Sequence, residues 1–276
     1  MKKRMTIALS FLIVIAMIIT ACGQSDENNE STEENEIPSE EQTDLLANIQ
    51  ESGVLKVGTE GTYPPFTFHD DSGQLTGFDV EIAREIAARL GVEAEFLETQ
   101  WDGIMAGLDA KRFDVIANQV GIRADRKEKY DFSIPYITSS AVIVTKADND
   151  AVNSVEDIKG LTSAQSLTSN YESIALEYGA VIEPVEGFTQ AISLIQSNRV
   201  DITINDRLTV LDYITQKGEE NIKVIPTIEE KSPSGILIRK GNETLVEAIN
   251  KAIEEMMEDG TYLEISMKWF GEDVSK

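Results

Sequence analysis

One short stretch of this chain occurs twice, 87 residues apart. Lys111-Arg112-Phe113-Asp114-Val115-Ile116-Ala117-Asn118-Gln119 aligns with Asn198-Arg199-Val200-Asp201-Ile202-Thr203-Ile204-Asn205-Asp206. Each copy is an apolar β run that starts after Arg and Asp and closes on amide or acid groups. Each also follows a similar strand–loop–helix opening. A unit of that kind buries its apolar faces only within a layered core. Two such units predict two lobes built on one plan.

The surrounding pattern fills in the lobes. Val54–Gly58 reads as a strand and Thr59–Phe66 as an irregular loop stiffened by Pro64-Pro65. Asp70–Gly73 reads as a turn. Phe78, Ile82, Ile86 and Leu90 form a helical stripe that stops at Gly91. Further strands are predicted at 92–96, 113–117, 163–166, 181–185 and 200–204. Helices are predicted at 101–108, after the loop Leu167–Tyr171 through Tyr178, and at 189–196. Strands alternating with helices imply an α/β fold with mixed, mostly parallel sheets flanked by helices. Two apolar runs, Ala141–Thr145 and Gly235–Arg239, are read as the crossings between lobes, which would make them hinge strands. The last 35 or so residues are predicted helical, with Leu245, Ile249, Ala252, Ile253 and Met256 on one face. The resulting organisation is 45–142 for the first part of lobe 1, 143–236 for lobe 2, and 237–276 for the return to lobe 1.

The N-terminus has a separate character. Lys2, Lys3 and Arg4 precede an apolar run, which ends in the small residues before Cys22, the one cysteine of the chain. That order reads as a lipoprotein signal peptide over 1–21, with Cys22 acylated at the cleavage point. The apolar core of about 17 residues is short for a membrane span. Residues 22–44 are acidic and polar, too poor in apolar side chains to bury a core, and are expected to act as a tether. The folded part is therefore expected outside the cytoplasmic membrane, held there by lipid.

Composition removes several classes of function. The net charge is −25, and about −28 once Lys2, Lys3 and Arg4 leave with the signal peptide. Nucleic acid is an unsuitable partner for such a chain. With Cys22 acylated, no disulfide, zinc–cysteine site or cysteine nucleophile is available. A single histidine, His69, is read as a surface loop residue and does not make a metal cluster. No cofactor is implied, and no phosphate-binding G-x-x-x-x-G-K-[ST] motif occurs.

In open α/β sheets, ligands bind beyond the carboxyl ends of the strands. Four segments then converge: Glu60–Tyr63, Asn118–Arg126, Ser166–Tyr171 and Asn205–Arg207. They bring an arginine set in small polar residues, Arg126, and a strand-end carboxylate, Asp206. A guanidinium takes a carboxylate by two parallel hydrogen bonds, and an aspartate takes an ammonium. A zwitterion satisfies both.

These residues sit in stretches that resemble the family 3 solute-binding proteins of ABC importers for polar amino acids: EGTYPPFTF, GFDVEIAREIAARLG, QWDGIMAGLDAKRFDVIANQVGIRADR, YDFSIPY, AQSLTSNY, NDRLTVLDY, RKGNETLVEAIN and DGTYLEISMKWFG. The combination of TQWDG, ANQVGI and AQSLTSNY is most similar to the cystine-binding branch. The resemblance implies a two-lobed, periplasmic-binding-protein-like fold of type II joined by two hinge strands. It also implies an amino acid ligand (cystine or another polar amino acid), a permease partner driven by a cytoplasmic ATPase, a monomer, and no catalysis.

By the same resemblance, Arg126 would clamp the α-carboxylate. Asp206 would take the α-ammonium, helped by a backbone carbonyl from Asn118, Gln119 or Gly121. Tyr63 and Trp101 would wall the ligand side chain. Ser166, Ser169 and Asn170 would face the ligand from lobe 2, and Glu60 stands where the family often places an acid. Asn118-Gln119-Val120-Gly121 replaces the usual serine-rich loop, and Ser163 replaces a strand valine. Two other readings stay open: a dehydratase of the cyclohexadienyl type, with Glu60 as its acid, and an amino-acid sensor module.

Overall fold

The computed structural model describes residues 44–227 and 231–276. Cys22, the signal peptide and nearly all of the tether lie outside the described residues. The described residues form one compact unit with two five-stranded sheets.

The two sheets repeat one topology. In the first, Glu93–Glu98, Val54–Thr59 and Val115–Ile116 run parallel, and Leu237–Arg239 and Tyr130–Phe132 complete the edge in antiparallel pairs. In the second, Val181–Pro184, Thr162–Gln165 and Ile202–Asp206 are parallel, followed by antiparallel Ala141–Lys146 and Ile222–Pro226.

The sequence repeat is also a repeat of geometry. Lys111 and Asn198, at equivalent positions, both adopt left-handed backbone, with φ of 58° and 56°. Asp114 Oδ2 accepts from the Lys56 N–H at 3.0 Å, and Asp201 Oδ2 accepts from the Thr162 N–H at 2.8 Å. In each lobe the repeated aspartate therefore pins the first half of the neighbouring strand. Ser163 does not disrupt its strand: it is fully buried there, and its Oγ accepts from Gln165 Nε2 at 2.9 Å.

Helices form where the apolar spacing placed them. Phe78–Leu90 buries Phe78, Val80, Ile82, Ala83, Ile86 and Ala87, and it ends at Gly91 in left-handed backbone. Trp101–Asp109, Asn170–Glu177 and Phe188–Gln196 follow their predicted stretches closely. The segment read as loop and turn after Gly61 is more regular than expected. It makes a small antiparallel sheet of Thr62–Tyr63, Thr67–His69 and Leu75–Thr76. His69 is an exposed residue on that sheet, with Nε2 3.1 Å from Glu98.

The crossings differ from the expectation. Ala141–Lys146 and Leu237–Arg239 are interior strands of the sheets, with Ala141 to Thr145 all buried. Apolar side chains on both faces of a strand need cover on both sides, which a hinge cannot supply. The antiparallel pair Ile137–Ser139 and Ser232–Ser234, rich in Ser, Thr and Pro, joins the sheets instead.

Gly77 fixes the entry to the first-lobe helix. Its φ is 127°, and a Cβ there would overlap the Phe66 carbonyl oxygen. The adjacent N–H groups of Phe78 and Asp79 donate to the carbonyls of Pro65 and Phe66 at 2.9 Å each, so the backbone has no room to yield. Gly77→Ala is expected to destabilise the fold by about 3 kcal/mol or more, read as a drop in urea midpoint.

Candidate ligand-binding cleft

The carboxyl ends of parallel strands from both sheets open on one cavity of about 450 Å³, its open mouth included. Glu60 follows the strand Val54–Thr59, Trp101 follows Glu93–Glu98, and Asn118 and Gln119 follow Val115–Ile116. From the second sheet come Gln165 and Ser166, then Gly187 and Phe188, then Asn205. Ser169, Asn170 and Tyr171 line it from the start of the helix Asn170–Glu177, and Tyr63 from the small sheet. Eight of the predicted residues thus line the cavity: Glu60, Tyr63, Trp101, Asn118, Gln119, Ser166, Ser169 and Asn170. Gly121, Arg126 and Asp206 stand just behind its wall.

Arg126 is buried, with 7% of its surface exposed. Nη1 donates to the Gly121 carbonyl at 2.9 Å and Nη2 to the Thr168 carbonyl at 3.0 Å, and the guanidinium lies 5.4 Å from the centre of the Trp101 ring. No carboxylate among the described residues forms an ion pair with it. Burial pulls its pKa down to about 10, so it stays cationic at neutral pH. A side chain at Gly121 would first meet Asn170 and Arg126, which places that glycine between the two groups expected to bind a carboxylate.

Asp206 is 1% exposed and has no cationic partner among the described residues. Oδ1 accepts from Ser139 Oγ at 2.9 Å and from the Leu208 N–H at 2.8 Å, the latter capping the helix Arg207–Lys217. Oδ2 accepts from Gln119 Nε2 at 2.7 Å and from the Tyr171 hydroxyl at 3.3 Å. Burial raises its pKa, and these four donors oppose the rise. Helix cap and buried carboxyl are the same residue.

Glu60 is half-buried, and burial raises its pKa to about 7 against the opposing hydrogen bond from Asn118 Nδ2, 2.6 Å away. Asp79, fully buried beneath the cavity floor, is likewise pushed to about 7 by burial. It accepts from Tyr136 Oη at 2.9 Å and from the Gln119 N–H at 2.5 Å. A carboxyl whose pKa is higher folded than unfolded holds extra protons in the native state. Its stabilisation is full below the unfolded value near 4 and is lost as pH rises through about 7. Stability is thus expected to fall between pH 4.5 and 7.5. Asp79→Asn should flatten that fall by a few kcal/mol and leave the shares from Glu60 and Asp206. Urea midpoints at the two pH values check it.

Several contacts bridge the two lobes. The Tyr63 hydroxyl donates to Asn205 Oδ1 at 2.8 Å, and Arg123 Nη1 donates to the Ser169 carbonyl and to Ser173 Oγ at 3.2 and 2.8 Å. Together with the Arg126–Thr168 and Gln119–Asp206 bonds, they define a drawn-together cleft. Backbone strain gathers at the same place: Gln119 and Thr168 hold φ of 48° and 63°, uncommon for any non-glycine residue and an outlier for a β-branched one.

Gln165, Gly187 and Phe188 line the cavity without having been singled out. The signal was available, because Gly187-Phe188 follows the carboxyl end of the strand Val181–Pro184, and the strand-end rule applies there as elsewhere.

Residues 55–272 match the bacterial extracellular solute-binding proteins, family 3. The chain belongs to that family. It is 50% identical over 275 residues to the L-cystine-binding protein TcyA of Bacillus subtilis, covering 99% of this chain and all of the relative. It is 42% identical to the L-cystine-binding protein TcyJ of Escherichia coli K12, covering 84% and 88%. Among solved structures, an ancestral arginine-binding protein bound to arginine superposes with a TM-score of 0.75 at 40% identity, over 79% of this chain and 98% of that one. The L-cystine receptor of Neisseria gonorrhoeae in its unliganded open conformation gives 0.57 at 46% identity, over 84% and 98%. Higher identity with lower superposition is the pattern expected when lobes are apart in one structure and together in the other. The fold is the two-lobed, type II one. This solute-binding protein is a receptor rather than an enzyme, and an ancestral amino acid-binding protein that is a precursor of cyclohexadienyl dehydratase shares the fold at a TM-score of 0.76. Among the described residues, no helix is long and apolar enough to cross a membrane.

Proposed function

We propose that this family member is a lipid-anchored receptor that binds cystine between its lobes and delivers it to an ABC permease driven by a cytoplasmic ATPase. The observation that carries the reading is a buried cation and a buried carboxyl, neither with an ionic partner among the described residues. Within those residues, the partners of the Arg126 guanidinium are carbonyls and a ring, and the donors to Asp206 are neutral. A buried charge without a counter-ion is costly, and an α-amino acid supplies both missing partners in one molecule. Arg126 takes the carboxylate and Asp206 the ammonium. Tyr63 and Trp101 flank the side chain, with Glu60 and Asn205 offering polar contacts to a second amino-acid end.

Cystine is preferred among amino acids because relatives named for it match this chain over most of its length. Acylated Cys22 holds the receptor at the outer face of the cell membrane, and it works as a monomer. Ligand touching both halves favours the closed arrangement.

The test is thermal unfolding of amino-acid-stripped protein against cystine and each common amino acid. Ligand at 100 times its Kd is expected to add about 2.7 kcal/mol, a rise in Tm of up to several degrees for this size. A rise with another polar amino acid and none with cystine would keep the receptor and replace the ligand. No rise with any would overturn the reading. For the anchor, labelled palmitate should enter the wild-type chain and not Cys22→Ala.

A further inference from the structure

Gln119 occupies an unusual position. Its backbone is left-handed, with φ of 48°, a conformation that long side chains avoid. Two bonds hold it there: the N–H donates to buried Asp79 Oδ2 at 2.5 Å, and the carbonyl accepts from Ser234 Oγ on a crossing strand at 3.3 Å. So fixed, the side chain reaches out of the first lobe and across the cleft. Nε2 donates to Asp206 Oδ2 at 2.7 Å, the shortest of the contacts to that carboxylate.

A carboxylate offers about four acceptor positions. Ser139 and the Leu208 N–H fill Oδ1, while Gln119 and Tyr171 fill Oδ2. An ammonium therefore reaches Asp206 only by displacing a donor from Oδ2. Among the described residues, Gln119 is the donor to Asp206 that comes from a strand end of the first lobe.

We propose that the Gln119 side-chain amide is a surrogate for the ligand's ammonium: it latches the two lobes through Asp206, and an incoming amino acid must displace it. The inference rests on the reading of Asp206 as the ammonium's counter-charge. Two consequences follow. The closed arrangement is populated without ligand, because the latch supplies part of what ligand otherwise supplies. Affinity is correspondingly lower, because breaking the latch is part of the binding reaction, and only a difference between two contacts drives that step.

The test compares Gln119 with Gln119→Asn and Gln119→Ala in the full chain, purified in detergent and stripped of amino acids by unfolding and refolding. Asn keeps the amide and tolerates left-handed backbone, but is one methylene too short to span the cleft. Trp101 lies in the cavity wall, so Trp269→Phe leaves it as the single tryptophan and its acrylamide quenching reports opening. Both variants should quench more readily than the parent without ligand. They should return to the parental level with saturating cystine and bind cystine about three- to tenfold more tightly. Unchanged quenching in Gln119→Asn would overturn the latch. A tenfold or greater loss of cystine affinity in Gln119→Asn would also overturn it, by showing that the amide holds the ligand and does not imitate it. If the parent itself fails to bind cystine, the ligand reading falls, while the quenching comparison still decides the latch.

Discussion

Arg126→Ala should lower amino acid affinity by roughly 30-fold to several thousand-fold, a loss of about 2–5 kcal/mol. The guanidinium lies behind the cavity wall, and its partners among the described residues are two carbonyl acceptors and the Trp101 ring, which leaves it to the ligand carboxylate under the proposed function. Removing it leaves that carboxylate desolvated without a counter-ion. It also removes one tie between the lobes, at the Thr168 carbonyl. Arg126→Lys separates the two effects. A lysine restores charge but not the planar fork that meets two acceptors at once, so it should recover only part of the loss. Titration calorimetry with cystine measures both, with circular dichroism to confirm folding. Near-normal binding by folded Arg126→Ala would show that the carboxylate is held elsewhere.

Asp206→Asn is expected to separate binding from stability. The ammonium loses its counter-charge, and affinity should fall by about 30-fold or more. The fold should change by no more than about 1 kcal/mol, because the amide keeps the shape and the carboxylate is a buried charge whose removal relieves desolvation. The amide oxygen can still accept from Ser139 and the Leu208 N–H. Gln119 can turn its own amide so that Oε1 accepts from the new NH₂ group. Asp206→Ala differs, since it also strips the cap from the helix Arg207–Lys217, a further loss of about 1 kcal/mol. Urea unfolding and calorimetry on both variants distinguish these effects. A large stability loss in Asp206→Asn would assign the residue to the fold rather than to the ligand.

Much of the fold was legible because its cause is local. The stripe Phe78, Ile82, Ile86, Leu90 and the stop at Gly91 require no tertiary information, and the helix is found over Phe78–Leu90. The repeated segment foretold the matched sheets, down to the paired aspartates Asp114 and Asp201. The small sheet after Gly61 was harder to read, because two- and three-residue strands are too short to show an alternating pattern. The crossings were misplaced for an instructive reason. Ala141–Thr145 is the more apolar run, and apolarity marks what is buried, not what bends. The actual connecting pair, Ile137–Ser139 with Ser232–Ser234, is short and polar.

The site divides in the same way. Rules about strand ends gathered most of the cavity lining from the order of residues alone. The nature of Arg126 and Asp206 as a cation and an anion was also plain from the sequence. Their lack of ionic partners was not, since Arg126 sits in the run Arg123-Ala124-Asp125-Arg126-Lys127-Glu128-Lys129, where charges of both signs abound. In the fold, Arg123 takes Asp125, at 2.9 Å from Nε, and leaves Arg126 turned inward. Two lobes of one plan, the helices and strands that compose them, and the residues that carry charge toward the cleft follow from residue order. Which of those charges are buried without counter-ions among the described residues, and the reach of Gln119 across the cleft to Asp206, depend on the folded arrangement. Periodicity and composition are properties of neighbours along the chain. Desolvation and pairing are set by residues such as Gln119 and Asp206, 87 positions apart in sequence and 2.7 Å apart in space.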